Sequence, residues 1–351
     1  METTLPYGWY TDPEILRREQ ERVFRSAWQY AGHLGQLPAD DGPGFFTAQA
    51  GRAPVVVTRA RDGELRAFLN VCRHRGFPVA EGEGRRETLQ CPYHAWTYGL
   101  DGCLRAAPRS EEEPDFPKDE LGLVPVAVGT WGPFVFVNAT AGAEPLADAL
   151  GSMPAQIAEL GLDVDELVWH ARWETELDAN WKIVCENFLE CYHCQVAHPG
   201  FSEVIDVSTE AYALDASGRL STQYGPVRES GRSKMALDGE LPRSQFHFLW
   251  PNLTVNIFPG HPNISIGPVT PRTPDRTYRF LDYFFGPDVE QAWIDDLRAF
   301  DDQVGIEDRV LVEGVHRGVA SGALDRGVLM SRSEQLIGHF QALTAAAVAG
   351  Q

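Results

Sequence analysis

Cys72-Arg73-His74 and Cys91-Pro92-Tyr93-His94 are the two stretches on which the reading of this sequence turns. Sixteen residues separate His74 from Cys91. Each stretch offers one soft thiolate and one imidazole on a spacer short enough for a single tight loop. Two such loops can clamp a cluster from opposite sides. Thiolates on one iron and neutral imidazoles on its neighbour make the ligand set of a Rieske [2Fe–2S] cluster. A zinc site could use the same four residues. Zinc fingers, however, run Cys-Cys and then His-His, whereas here each loop supplies one of each. The flanks, Arg73 and Arg75 on one side and Tyr93, Trp96 and Tyr98 on the other, favour iron and sulfur.

Outward from the loops the sequence is rich in short strands and turns. Val55–Thr58 and Leu65–Leu69 flank Asp62-Gly63, a hairpin signal. Thr97 to Leu104, turning at Gly99 to Gly102, predicts a second hairpin, and Phe134–Val137 is a strongly β run. Asp12-Pro13 starts a helix that runs toward Trp28. Arg109 to Glu120 is acidic, holds two prolines and reads as a surface loop. Ala143 to Leu162 has helical spacing, and a domain boundary is placed near residue 160. Longer strands follow at Leu167–Leu177, Ser244–Leu249, Leu253–Phe258 and Arg276–Phe285. Trp181 to Ala197, Val289 to Arg317 and Ser331 to Val348 read as helical, and the polar Arg228 to Arg243 as a mobile loop beside the site. The expected class is α+β. An N-terminal helix plus mostly-β cluster domain (residues 1–160) precedes an antiparallel-sheet catalytic domain with covering helices (residues 161–351).

A second metal constellation lies in that half. Glu186-Asn187-Phe188-Leu189-Glu190-Cys191-Tyr192-His193-Cys194 leads to His198-Pro199. Two histidines and one carboxylate, with coordination positions left open, form the facial triad of a mononuclear non-haem Fe(II) oxygenase. His193 and His198 supply the imidazoles if the helix ends after His193 and the chain bends, which Pro199 fits. Asp308 is the best candidate for the distant carboxylate, yet Asp301, Asp302, Glu307 and Glu313 lie close by and periodicity does not choose among them. Glu190, one helical turn before His193, is placed to orient that ring from its other nitrogen. Cys191 and Cys194 form a C-x-x-C, ranked as packing residues ahead of a redox dithiol or a zinc half-site.

Together these residues resemble the catalytic α subunit of Rieske non-haem iron oxygenases. Asn70 to Gly76 and Cys91 to Tyr98 look like that family's cluster loops, Asn180 to Pro199 like its iron helix, and Glu307-Asp308 followed by Glu313 like its distant carboxylate segment. The resemblance implies cluster ligands Cys72, His74, Cys91 and His94, and iron ligands His193, His198 and Asp308. It sets Asn187 near the iron and makes Glu190 a bridging acid. It implies a homotrimer in which a cluster histidine, His94, reaches the neighbour's His193 through Glu190. Glu190 followed by Cys-Tyr-His-Cys is more similar to the branch acting on quaternary ammonium compounds such as choline, carnitine, glycine betaine and stachydrine. His316 departs from the family, which more often has Gln there, and it receives no role.

The expected function is therefore a terminal oxygenase. It would use O₂ and electrons from a separate NAD(P)H-fed ferredoxin or flavin reductase to hydroxylate or oxidatively N-demethylate a small quaternary ammonium compound. The chain carries no dinucleotide fingerprint and no plant-type ferredoxin spacing, so it needs that partner. Phe246, Phe248, Trp250 and Phe258 are the expected aromatic wall for a trimethylammonium head. The alternatives are a mono- or dioxygenase of aromatic rings, a Rieske electron carrier without oxygenase activity, and a zinc-structured binding module. Composition narrows the partners. The 351 residues carry a formal charge of −20, which weighs against nucleic acid and anionic lipid. Six cysteines, two of them in the cluster motif, suit a reducing cytoplasm. The first residues do not read as a signal peptide, and no apolar run is long enough to span a bilayer.

Overall fold

The computed structural model describes residues 2–140, 142–228, 237 and 239–350. Most of the polar loop expected at Arg228 to Arg243 lies outside the described residues. The chain divides into two compact units, Phe24–Leu146 and Met1–Val23 with Ala147–Gln351. The elements used below are, in chain order, helix α1 (Pro13–Glu19), strands β1 (Gln29–His33), β2 (Gly44–Ala50), β3 (Ala53–Arg59), β4 (Leu65–Leu69), β5 (Glu83–Arg85), β6 (Thr88–Gln90), β7 (Thr97–Gly99), β8 (Leu104–Ala106), β9 (Pro125–Trp131), β10 (Phe134–Asn138) and β11 (Val168–Leu177). Then come α2 (Trp181–Phe188), α3 (Cys194–Ala197), α4 (Pro199–Val204), β12 (Ala213–Ser217), β13 (Leu220–Pro226), β14 (Arg243–Leu249), β15 (Leu253–Ile257), β16 (Asn263–Thr273), β17 (Arg276–Phe285), α5 (Gln291–Ala320) and α6 (Gln335–Ala349).

In the first unit seven strands run in the order β1-β10-β9-β4-β3-β2-β5, beside a three-stranded sheet β6-β7-β8. Every residue of β10 is buried, because β1 and β9 flank it and side chains cover both faces. That explains its unbroken Phe-Val-Phe-Val run in place of an alternating one. Burying each such side chain contributes about 1.5–3 kcal/mol. The two cluster loops leave the ends of β4 and β6.

The second unit is built on an antiparallel sheet in the order β11-β17-β16-β15-β14-β13-β12. Helices α2, α4 and α5 supply side chains to the core packed on one of its faces. Two local facts position α2. Asn180 caps it, accepting from the Lys182 N–H at 3.1 Å and donating to the Pro274 carbonyl at 2.8 Å. The next two side chains are tied to the N-terminal helix. The Trp181 indole donates to Glu19 at 2.8 Å, and Lys182 pairs with Glu19 at 2.6 Å, with both charges fully buried. Removing one member of such a pair costs about 3–5 kcal/mol. These contacts place α1 in the second unit, whereas the sequence reading grouped the N-terminal helix with the first. Helix α1 also stops at Glu19, short of Trp28, and a π-turn (Gln20–Phe24) leads toward β1.

Two candidate metal centres

Cys72 and Cys91 lie buried side by side, with His74 and His94 exposed above them. The two loops have the same backbone design. Cys72 N–H donates to the Phe77 carbonyl and Gly76 N–H to the Cys72 carbonyl, at 2.8 and 2.9 Å. Cys91 N–H likewise donates to Trp96, and Ala95 N–H to Cys91, at 2.8 and 3.0 Å. Both turns need a left-handed residue at the fourth position after the first. Gly76 takes it freely at φ 79°, and Ala95 takes it at φ 58° against its Cβ. Asn70 pins the first loop, accepting from Val79 and Ala80 N–H at 2.9 and 3.0 Å and donating to the Ala80 carbonyl at 2.9 Å.

The donor set fits a Rieske cluster. Both sulfurs are free thiols, and the two imidazoles meet edge to face with centroids 4.6 Å apart. Burial pushes the Cys91 thiol up, the Tyr93 N–H opposes this, and neighbouring Cys72 adds to it. The Cys91 thiol is thus reluctant to ionise until a cation arrives. Desolvation, then the charges of His74 and Arg75, hold His94 below the usual imidazole range, in the neutral form a metal requires. Tyr98 was noted in sequence only as a flanking aromatic. Its hydroxyl lies 3.3 Å from the Cys72 sulfur and accepts from the Arg73 N–H at 3.0 Å. Trp96 stacks on His74 with centroids 5.0 Å apart.

In the second unit the expected helix through Ala197 breaks at Phe188. The Glu190 carboxylate accepts from the N–H groups of Tyr192 and His193, a local turn that competes with helix. His198 leaves the helical region at φ −121° and ψ 70°, and Pro199 starts α4 at its first turn instead of closing the helix before it. The break swings two histidines five residues apart onto one point. His193 Nε2 and His198 Nε2 lie 3.1 Å apart, and Asp308 Oδ1 lies 3.0 Å from the second and 3.6 Å from the first.

The outer nitrogens explain the orientation. His193 Nδ1 bonds to Glu190, and His198 Nδ1 bonds to Glu307 at 2.7 Å. A carboxylate on each Nδ1 holds the proton there and leaves each Nε2 lone pair aimed inward. Two Nε2 atoms facing each other beside a carboxylate need positive charge between them, a proton in the metal-free protein or a metal ion, and two imidazoles with one carboxylate fit a divalent iron. Asn187 Nδ2 donates to Asp308 Oδ1 at 2.7 Å. Burial raises the Asp308 carboxyl, but its bonds to His193 and His198 outweigh this and hold it well below the usual range. Burial lowers His193, but the Asp308 and Glu190 carboxylates carry it up to about 9; burial also lowers His198, but Asp308 and Glu307 shift it upward.

The acids left open in sequence now separate. Asp308 faces both imidazoles, Glu307 holds one from behind, and Glu313 pairs with Arg309 at 3.8 Å. Asp301 accepts from the Tyr283 hydroxyl. The triad opens onto a cavity of about 520 Å³ between the sheet and the helices. Phe246 and Phe258 line it as expected. Phe248 and Trp250 do not. Phe248 packs on Phe340 of α6 at 5.6 Å, and the Trp250 indole donates to Thr344 at 3.2 Å, because α6 covers that end of β14. Sequence reasoning missed Trp173, Tyr212, Arg279 and Tyr283, which also line the cavity. The i, i+2 spacing of Arg279, Leu281 and Tyr283 was the available signal once β17 was known to present one face. Cys191 and Cys194, ranked as packing residues ahead of a redox dithiol, are joined in a disulfide, Cα atoms 4.9 Å apart. His316 is buried on α5 and enters neither centre.

Comparison with known proteins adds to this geometry. The Rieske [2Fe-2S] domain model matches residues 27–123, and the ring hydroxylating alpha subunit (catalytic domain) model matches residues 164–350. The carnitine monooxygenase oxygenase subunit of Escherichia coli (strain K12) is 34% identical over 352 residues, covering 97% of this chain and 93% of the relative. The chloroplastic choline monooxygenase of Arabidopsis thaliana is 33% identical over 342 residues, covering 93% and 78%. A quaternary ammonium Rieske monooxygenase, whose structure was described for carnitine oxidation and inter-subunit electron transfer, superposes with TM-score 0.87 at 30% identity, covering 98% and 95%. Naphthalene 1,2-dioxygenase from Rhodococcus sp. shares the fold, with TM-score 0.80 at 18% identity over 99% and 94% of the two chains.

Proposed function

This chain belongs to the ring-hydroxylating α-subunit family of Rieske non-haem iron oxygenases, and from that membership we propose that it hydroxylates or oxidatively N-demethylates a small quaternary ammonium compound. The observation that carries the substrate class is the histidine–carboxylate triad opening onto a cavity walled by Trp173, Phe246 and Phe258. Aromatic faces attract a cation that cannot donate hydrogen bonds, and more strongly once water is excluded. The relatives that act on carnitine and choline support the same class.

Cys72, Cys91, His74 and His94 hold the cluster in this reading, and His193, His198 and Asp308 hold the ferrous ion. When bound, these groups supply one-electron transfer and activation of O₂. The chain's own residues do the rest. Glu190 and Glu307 keep the Nδ1 protons and fix both rings. Asn187 holds the bonded oxygen of Asp308. The aromatic wall excludes water and sets the reacting methyl group against the open face of the triad. Electrons come from a separate NAD(P)H-dependent ferredoxin or flavin reductase. In the family's trimeric arrangement Glu190 bridges His193 to the partner subunit's His94. Cytoplasmic residence belongs to the same reading; no helix among the described residues is long and apolar enough to cross a membrane.

The test is a substrate panel with reductase, scored by product mass so that uncoupled NAD(P)H loss does not mislead. Oxygenated or demethylated product from a betaine or choline supports the reading. Turnover of aromatic acids with none of the quaternary compounds contradicts it.

A further inference from the structure

We propose that Arg279 is the anchor for a substrate carboxylate, so that the cavity selects a zwitterion and discriminates against choline-like cations. This rests on the reading that the cavity takes a quaternary ammonium head. Arg279 sits on β17 between Thr175 of β11 and Val269 of β16, on the face that also presents Leu281 and Tyr283 to the cavity. Its Nε is buried and has no hydrogen-bond partner. Among the described residues no side chain or carbonyl bonds to its guanidinium, and no carboxylate comes within ion-pair distance. Asp301, a cavity acid that feels the Arg279 charge, accepts from the Tyr283 hydroxyl.

A planar fork of donors left unpaired in a walled cavity is costly, and a carboxylate matches it with two parallel bonds. The rest of the lining suits the opposite charge: the aromatic rings, with Asp301 and Asp302 among the acids. One cavity therefore offers separate places for the two ends of a betaine. Choline would bring a cation into the same space and leave Arg279 unpaired. Among the described residues Arg279 forms no hydrogen bond or ion pair with the triad, and it is a specificity residue, not a catalytic one.

The experiment is calorimetric binding to the loaded enzyme, without reductase. The ligands are a series of trimethylammonium alkanoates of increasing chain length, each with its neutral amide, and the matching tert-butyl acids in which carbon replaces the charged nitrogen. Wild type, Arg279→Gln and Arg279→Lys are compared, with the cluster spectrum confirming that each variant is folded. The proposal expects the best acid to bind about thirtyfold or more tighter than its amide, as for a buried charge pair. Arg279→Gln should erase that preference and Arg279→Lys should keep part of it. Acid and amide binding alike to wild type, or an unchanged preference in Arg279→Gln, overturns the Arg279 assignment while leaving the quaternary ammonium reading in place. Tert-butyl acids binding as tightly as the betaines, with the preference still lost in Arg279→Gln, keeps the carboxylate anchor and removes the quaternary head. No binding by any member of the three series overturns both.

Discussion

The cluster loops draw four candidate donors from the 23 residues between Cys72 and His94, whereas the mononuclear triad joins His198 to an acid 110 positions away. The loops are held by their own backbone, with matched bonds around Cys72 and Cys91, and they leave both imidazoles exposed. The triad is held from outside, by Glu190 and Glu307 on the outer nitrogens and Asn187 on the carboxylate, and it buries His198 to 2% exposure. An exposed pair of rings suits electrons arriving and leaving. A braced, partly buried triad beside an aromatic cavity suits chemistry from which water is kept away. The division of labour is visible in how each site is made.

The strongest break is a pair of mirror-image variants. Cys91→Ala should abolish the visible and paramagnetic signals of the cluster while metal analysis still finds the mononuclear iron. His198→Ala should do the reverse, keeping the cluster spectrum and losing the mononuclear iron and all product. Loss of both metals from either variant would mean that the two sites are not independent.

Glu190→Gln sharpens the contrast. It should keep both metals yet lower turnover about 10- to 100-fold, as expected when an outer partner of a metal-bound histidine is removed. Full activity would remove Glu190 from any bridging role.

The pH dependence of metal uptake separates the sites next. In the metal-free protein His193 is raised to about 9 and His198 is also raised, so the triad carries protons at neutral pH that the metal must displace. Affinity should climb as pH rises from 6 toward 9, by about tenfold per unit for each proton released, and level off above. Asp308 is shifted down and contributes nothing in that window. Titration of the metal-free protein with Fe(II) under anaerobic conditions measures this; flat affinity would contradict the proton-loaded triad. The smallest effect is expected of Glu307→Gln, which keeps a hydrogen bond to His198 Nδ1 and should weaken iron binding about tenfold.

What could be read in advance follows the same contrast. The cluster motif, the hairpin around Asp62-Gly63 and the all-buried Phe134–Val137 strand were legible because their signals are local. Asp308 was not selectable from its acidic neighbours. The decision lies in which acid of α5 meets a loop more than 100 residues earlier, and only the family resemblance favoured it. The break after Phe188 was hidden for a similar reason. Glu190 ends the helix by bonding Tyr192 and His193 N–H, a side-chain choice that helical spacing does not reveal. Trp250 misled because its place depends on α6, which covers the strand end and takes its indole proton at Thr344.

The most direct test of the central claim is a count of metal and sulfide in anaerobically reconstituted protein. A Rieske cluster feeding a separate ferrous site predicts about three irons and two acid-labile sulfides per chain. Two irons would leave only an electron carrier, and zinc without sulfide would contradict the account entirely.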